Sequence, residues 1–240
     1  VAFSAGFTPH PKISYAGAAA TGVASEAEYL EIGLTDARDP ERVHADLDAA
    51  LPDGLDIVDV VPVGDGGSLA DRLEASEWLL RLEGVAPGDA EKAVVSFMHS
   101  DAIEVERLTK KGRRRFDARA AVVAMEVLSG LDGEPDRRAV EANGSPCVIL
   151  RMVVRHATPA VRPDDVLTGL RQVADLAPPS PPLVTRLAQG PLDEATGELA
   201  DPLDPDREVA SPGEIAAAEQ GPVHAQAVES VEPGVVSARP

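Results

Sequence analysis

From Cys147 to Val154 the chain reads Cys-Val-Ile-Leu-Arg-Met-Val-Val, apolar at odd and even positions alike except at Arg151. Successive side chains of a strand point to opposite faces, so a segment of this kind must be covered on both sides. It demands a sheet with helices against one face and another layer against the other.

The neighbouring segments supply the helices. After this strand, Pro163 opens a helix with Val166, Leu167, Leu170 and Val173 at helical spacing, and a last strand is expected at 183–188. Before it, Trp78, Leu80 and Leu82 alternate in a strand over 76–83. A helix opened by Pro87 turns Ala90, Ala93, Val94 and Phe97 inward, and a strand follows at 102–108. A further short strand at 121–128 precedes a loop over 129–145, whose Gly, Asp, Glu and Arg content predicts mobility. The order strand, helix, strand, strand, helix, strand is the split βαβ or ferredoxin-like arrangement.

Residues 1–67 repeat the last four elements of that motif. Strands are expected at 10–16 and 28–34, the second with Leu30, Ile32 and Leu34 on one face. A helix over 40–51 has Asp39 as N-cap, Pro40 at its first position and Val43, Leu47 and Leu51 on one side, and a strand follows at 55–62. The fold expected is therefore α+β, with tandem ferredoxin-like (split βαβ) units over 1–67 and 68–190. The first lacks its initial strand and helix, which would lie upstream of Val1. One continuous mixed sheet without duplication is the alternative. From Pro191 onward there is no apolar period, and eleven acidic residues face only Arg207 and Arg239. Such a segment buries too little to offset its ordering entropy, so 191–240 is expected to be a disordered acidic tail, with at most a weak helix near 213–220.

Charge and cysteine content narrow the function classes. At a net charge of -19 the molecule as a whole repels nucleic acid and anionic membrane, so any polyanion must be met by a local basic patch. The one cysteine, Cys147, excludes an intrachain disulfide and any multi-thiolate metal site built from this chain alone. No apolar run is long enough for a membrane helix, and a cytoplasmic location is expected. No metal or cofactor is expected. The chain has no Walker A, HExxH or GxSxG pattern, and His44, His99, His156 and His224 lack ligand spacing.

Two segments carry candidate chemistry. In Phe3-Ser4-Ala5-Gly6-Phe7-Thr8-Pro9-His10-Pro11-Lys12-Ile13-Ser14-Tyr15, Pro9 and Pro11 hold their neighbours extended and Gly6 permits a turn. Ser4, Gly6, Phe7, Pro9, His10, Pro11 and Lys12 thus form a stiff loop suited to substrate or partner recognition, and His10 with Lys12 could meet a phosphate or carboxylate. Alternatively Phe3, Phe7, Ile13 and Tyr15 simply anchor the loop. Nearby, Ser25 and Glu28 have capping-box spacing ahead of a strand-like pattern, and Glu26, Glu28 and Glu31 could form a carboxylate–imidazole site with His10. The second segment holds seven of the chain's 22 basic residues: Arg107, Lys110, Lys111, Arg113, Arg114, Arg115 and Arg119. That concentration is a signal for RNA, with Phe116 placed to stack on a base. A hairpin neutralised by local carboxylates is the plainer reading.

The run Phe3 to Tyr15, the stretch Gly22 to Leu30, Thr109-Lys110-Lys111-Gly112 and Phe116-Asp117-Ala118-Arg119 together resemble a radical-SAM-linked bacterial family of unknown function. The resemblance spans about residues 1–190. It implies a radical SAM protein as partner and an RNA-linked role, with ribonuclease E/G as a further candidate partner. Radical SAM chemistry itself needs a cluster held by three cysteines, so it would belong to that partner. The function expected is a non-catalytic RNA-binding or substrate-presenting accessory to a radical SAM or RNA-processing protein. An RNA-modifying enzyme using His10, Glu28 or Asp117 as acid or base is the first alternative, and a protein-binding scaffold the second.

Overall fold

A computed structural model describes residues 1–64, 67–110, 112–128, 146–209 and 222–229. The chain is a mixed α+β protein. Its strands are β1 (Ile13–Ala16), β2 (Ala24–Ser25), β3 (Glu28–Gly33), β4 (Leu55–Pro62), β5 (Ala75–Glu83), β6 (Glu104–Thr109), β7 (Gly112–Asp117), β8 (Val122–Leu128), β9 (Cys147–Arg155), β10 (Leu183–Gly190) and β11 (Pro222–Glu229). The helices are α1 (Pro40–Asp48), α2 (Leu69–Arg72), α3 (Pro87–Met98), α4 (Pro163–Ala174) and α5 (Asp204–Val209). Two compact units result, one from Arg72–Pro202 and the other from Val1–Asp71 together with Leu203–Pro240.

In the unit Arg72–Pro202, four strands pair antiparallel in the order β10-β5-β9-β8. The doubly apolar segment is β9, next to the middle of this sheet as its composition requires. Val148, Leu150, Met152 and Val154 are at most 2% exposed and pack with Leu80, Leu82, Phe97, Val166 and Leu170 in one core beneath α3 and α4. Those helices approach closely at Gly169, where a Cβ would stand 2.7 Å from Phe97 Cε2 and 3.1 Å from Ile103 Cγ2. The opposite face of β9 is covered less than expected. Val153 lies with Ala75 and Leu192 under the Leu192–Leu199 bridge, while Arg151 is flanked by Glu77 and Glu126 from the adjacent strands.

The strand expected at 102–108 is corrected in its role. Among the described residues β6 pairs with β7 alone, as a two-stranded ribbon, and the second sheet position goes to β8, the shorter strand foreseen at 121–128. The loop expected at 129–145 lies outside the described residues.

The other unit has the sheet order β1-β3-β11-β4. β3 and β4 are joined through α1, and β11 runs between them antiparallel to both. Helix α1 starts where the sequence places it, with Asp39 Oδ1 accepting the Glu41 N–H at 3.0 Å and Pro40 in the first turn. Val43, with Leu47 and Leu51 beside it, packs on Ile32, Ile57, Val60 and Ala225. Residues 222–229, expected to be tail, take the place between β3 and β4.

The disordered tail expected over 191–240 is therefore corrected for its described part. Leu192 bridges Leu199, residues 204–209 are helical and 222–229 form an inner strand. A buried side-chain network accounts for this order. His224 is wholly buried, with Nδ1 2.7 Å from Asp206 Oδ2 and Nε2 2.8 Å from Glu31 Oε1. Asp206 also accepts the Gly64 N–H, and Arg207 donates to Asp59 on β4. The weak helix expected near 213–220 and the remaining tail residues lie outside the described residues.

Candidate functional site

The basic run forms the β6–β7 ribbon. Its register sets Val105 opposite Phe116 and Arg107 opposite Arg114 on one face, and Glu106 opposite Arg115 and Leu108 opposite Arg113 on the other. The base of the ribbon is fastened to the unit's core. Val105 and Phe116 are buried there, and Asp117 Oδ1 accepts the N–H groups of Ile103 at 2.8 Å and Arg119 at 2.9 Å. Thr109 Oγ1 donates to the Gly112 carbonyl across the turn, where Gly112 has φ +108°, a region that favours glycine.

The seven basic residues then separate by role. Arg119 donates to the Met98 and Val122 carbonyls, closing the C-terminal end of α3. Arg107 lies 5.0 Å over the Phe116 ring, bonds Asp165 at 2.5 Å and donates to the Ala160 carbonyl. Asp165 in turn accepts the Arg162 N–H at the start of α4, and burial pushes its carboxyl up despite these partners. Two expectations are corrected here: Phe116 is a core side chain that offers no face to a base, and Arg107 and Arg119 are structural. Arg113 and Arg115 both hold Glu106, at 2.9 and 3.2 Å, and the Arg115 hydrogen bond leads in holding the Glu106 carboxyl below its ordinary value, with the Arg113 charge adding. Lys110 and Arg114 are exposed and have no ion pair among the described residues. Lys111 lies outside the described residues. The segment between residues 104 and 117 carries six basic residues against three acidic ones, and the register puts all three, Glu104, Glu106 and Asp117, on the face of Arg113 and Arg115.

The N-terminal loop is a small hairpin. Phe3 bridges Pro11, the Ser4 N–H donates to the His10 carbonyl, and the His10 N–H donates to Ser4 Oγ at 3.0 Å. Ala2, Lys12 and Gly33 exchange three further backbone bonds of 2.7 to 2.8 Å, fixing the hairpin to β3. Gly6 sits at φ +136° in the turn, and Phe7, Pro9, His10, Pro11 and Lys12 are all exposed. The anchoring role considered for Phe3, Phe7, Ile13 and Tyr15 is corrected as well, because these side chains point to solvent and backbone bonds hold the loop.

The acid and base candidates serve local structure. Ser25 Oγ accepts the Ala27 N–H in a turn with no helix after it, and Glu28 accepts the Ala19 N–H at 3.2 Å. Asp117 is held by the two backbone bonds at the ribbon base. A carboxylate–imidazole contact does form at Glu31, but its imidazole is His224 rather than His10. Sequence reasoning also missed Ser76 and His156. His156 Nδ1 lies 2.6 Å from the Leu73 carbonyl, so that nitrogen carries the proton and Nε2 accepts from Ser76 Oγ at 2.7 Å. Burial lowers the imidazole below its ordinary value, and Ser76 is itself 1% exposed, so the pair is a clasp for a buried hydroxyl. Among the described residues no group of three or more His, Cys, Asp and Glu side chains could hold a metal ion, and no helix is long and apolar enough to cross a membrane.

Residues 1–163 match a family described as an uncharacterized protein conserved in bacteria (DUF2344). The chain belongs to this family. The family match takes in the N-terminal loop, the β6–β7 ribbon and β9, and ends at the first residue of α4. No curated protein and no solved structure matches the chain.

Proposed function

We propose that this chain is a non-catalytic RNA-binding or substrate-presenting accessory whose β6–β7 ribbon lies against the phosphate backbone of RNA. The observation that carries the reading is the ribbon: Lys110, Arg113, Arg114 and Arg115 are exposed on a short arm fastened at its base, in a chain of net charge -19. Strong overall repulsion makes such a local cationic arm a favourable place for a polyanion to land. Arg113 and Arg115 face one way and Arg114 the other. Glu104, Glu106 and Asp117 share the face of Arg113 and Arg115, so the positive excess of the described ribbon comes from Arg114 on the other face and from Lys110 beside the turn.

The same reading takes each unit as ferredoxin-like. In its support, β5-α3-β8-β9-α4-β10 has the element order and the β10-β5-β9-β8 sheet order of that arrangement, with the ribbon inserted after α3. The order β4-β11-β3-β1 follows the same plan around a strand drawn from the chain's other end. A radical SAM or RNA-processing protein is the proposed partner, on the resemblance of the loop and ribbon motifs.

The test is the salt dependence of RNA binding. Replacing Lys110, Arg113 and Arg114 by Gln in the full chain should reduce the slope of log K against log salt by about 2, since each phosphate contact on a single strand contributes ~0.7. All three side chains are exposed, so the fold should persist. RNA affinity unchanged by the triple substitution at low salt defeats the proposal.

A further inference from the structure

The chain has seven aromatic side chains. Tyr29, Phe97 and Phe116 are buried and Trp78 packs against a core, whereas Phe3 is 57% exposed, Tyr15 70% and Phe7 fully so. All three exposed rings thus fall within the first fifteen residues. Exposing that much aromatic surface costs hydrophobic stabilisation that the fold recovers elsewhere for the other four, and exposed rings gathered into one short segment point to a binding surface. Ile13, 42% exposed, adds to the apolar area.

The charge around these rings is as uneven as their exposure. Residues 1–25 contain no Asp or Glu, in a chain where 41 of 240 residues are acidic, and Lys12 and His10 stand among the aromatics. Backbone bonds from Ala2, Ser4, His10, Lys12 and Gly33 fix the hairpin, and Pro9 and Pro11 stiffen its returning arm. The rings are therefore presented on a frame with little freedom left to lose on binding. Exposed aromatic rings next in sequence to cations on a rigid hairpin fit one class of ligand well: bases with exposed faces, linked by phosphates.

We infer that the hairpin Phe3–Tyr15 is a stacking platform for unpaired nucleotides, with Phe3, Phe7 and Tyr15 taking bases and Lys12 the adjoining phosphate. This deepens the RNA-binding reading and rests on it. The ribbon supplies charge that any RNA satisfies, and the hairpin supplies a preference for single strands, because the bases of a duplex are already stacked on one another.

The experiment compares a 12-nucleotide oligouridylate with a 12-base-pair RNA duplex by fluorescence anisotropy at low salt, using the full chain. Phe3→Ala, Phe7→Ala and Tyr15→Ala should each weaken oligouridylate binding roughly five- to a hundredfold. They should leave duplex binding and the salt slope unchanged, since a ring displaces no counterion. Equal affinity of the triple variant and the parent for oligouridylate overturns the inference, as does an equal loss on both RNAs. A photocrosslinker at position 7 that recovers protein and no RNA from cells assigns the surface to a protein partner and overturns it too. If the ribbon substitutions flatten the salt slope while the aromatic ones do nothing, the stacking inference alone falls. If the parent binds neither RNA, the ribbon reading falls with it.

Discussion

The unit Arg72–Pro202 and the unit that contains Val1–Asp71 draw their strands from different distances along the chain. In the first, β5, β8, β9 and β10 lie within one continuous stretch, and two twelve-residue helices cover one face. In the second, the strand joining β3 to β4 comes from residues 222–229, and Val43 of α1 is one of five buried core residues, with Leu47 and Leu51 packed partly buried against them. The stability of one is spread over many apolar contacts. That of the other is concentrated in a strand and in the His224 network that pins it.

The largest expected effect breaks this comparison directly. A chain ending at Val209 keeps every element of Arg72–Pro202 but loses β11, leaving β3 and β4 with unpaired inner edges. Amide exchange should then become fast at Ile32, Ile57 and Val60 and stay slow at Leu80, Leu150 and Met152. Protection that persists in β3 and β4 would show that the late strand does not hold that sheet. A smaller effect sharpens the comparison from the other side. Phe97→Ala empties the middle of the helix-covered core and should cost about 3–5 kcal/mol in denaturant unfolding of that unit. Val43→Ala in the small core should cost less than half as much, and equal costs would mean the two cores are matched in packing.

The same contrast explains what the sequence discloses. β5, α3, β9 and α4 declare themselves through local periodicity, because each has a strong apolar face and its partners lie nearby. β11 reads Val223-His224-Ala225-Gln226-Ala227, small and weakly apolar within an acidic stretch. Its strand character comes from the place that β3 and β4 offer rather than from its own propensity. His224 meets Asp206 eighteen residues away and Glu31 at a separation of 193, distances at which spacing carries no signal. Other misses had a usable signal. Val105 and Phe116 are equidistant from the ribbon turn, which sets them opposite each other as an apolar pair, and reading Phe116 by its basic neighbours hid that register. Ser76 alternates onto the face of Trp78, Leu80 and Leu82, so a partner such as His156 was owed to it.

The smallest expected effect concerns how the ribbon holds its own charge. Glu106 has its carboxyl depressed first by the Arg115 hydrogen bond and further by Arg113. A depressed carboxylate stabilises its pairing above the ordinary carboxylate value of 4.5, and that contribution disappears as pH falls through the still lower folded value. Protonation then frees both arginines for phosphate. At pH 7, Glu106→Gln should strengthen RNA binding about twofold, in keeping with an exposed ion pair. Because the parent acquires the same neutral side chain on acidification, the gap between parent and variant should close as pH drops below the ordinary carboxylate range. Comparing the two proteins at each pH cancels the titration of the other carboxylates, which both share. A gap that stays constant down to the lowest pH at which the protein is folded would place Glu106 outside the electrostatics of RNA binding.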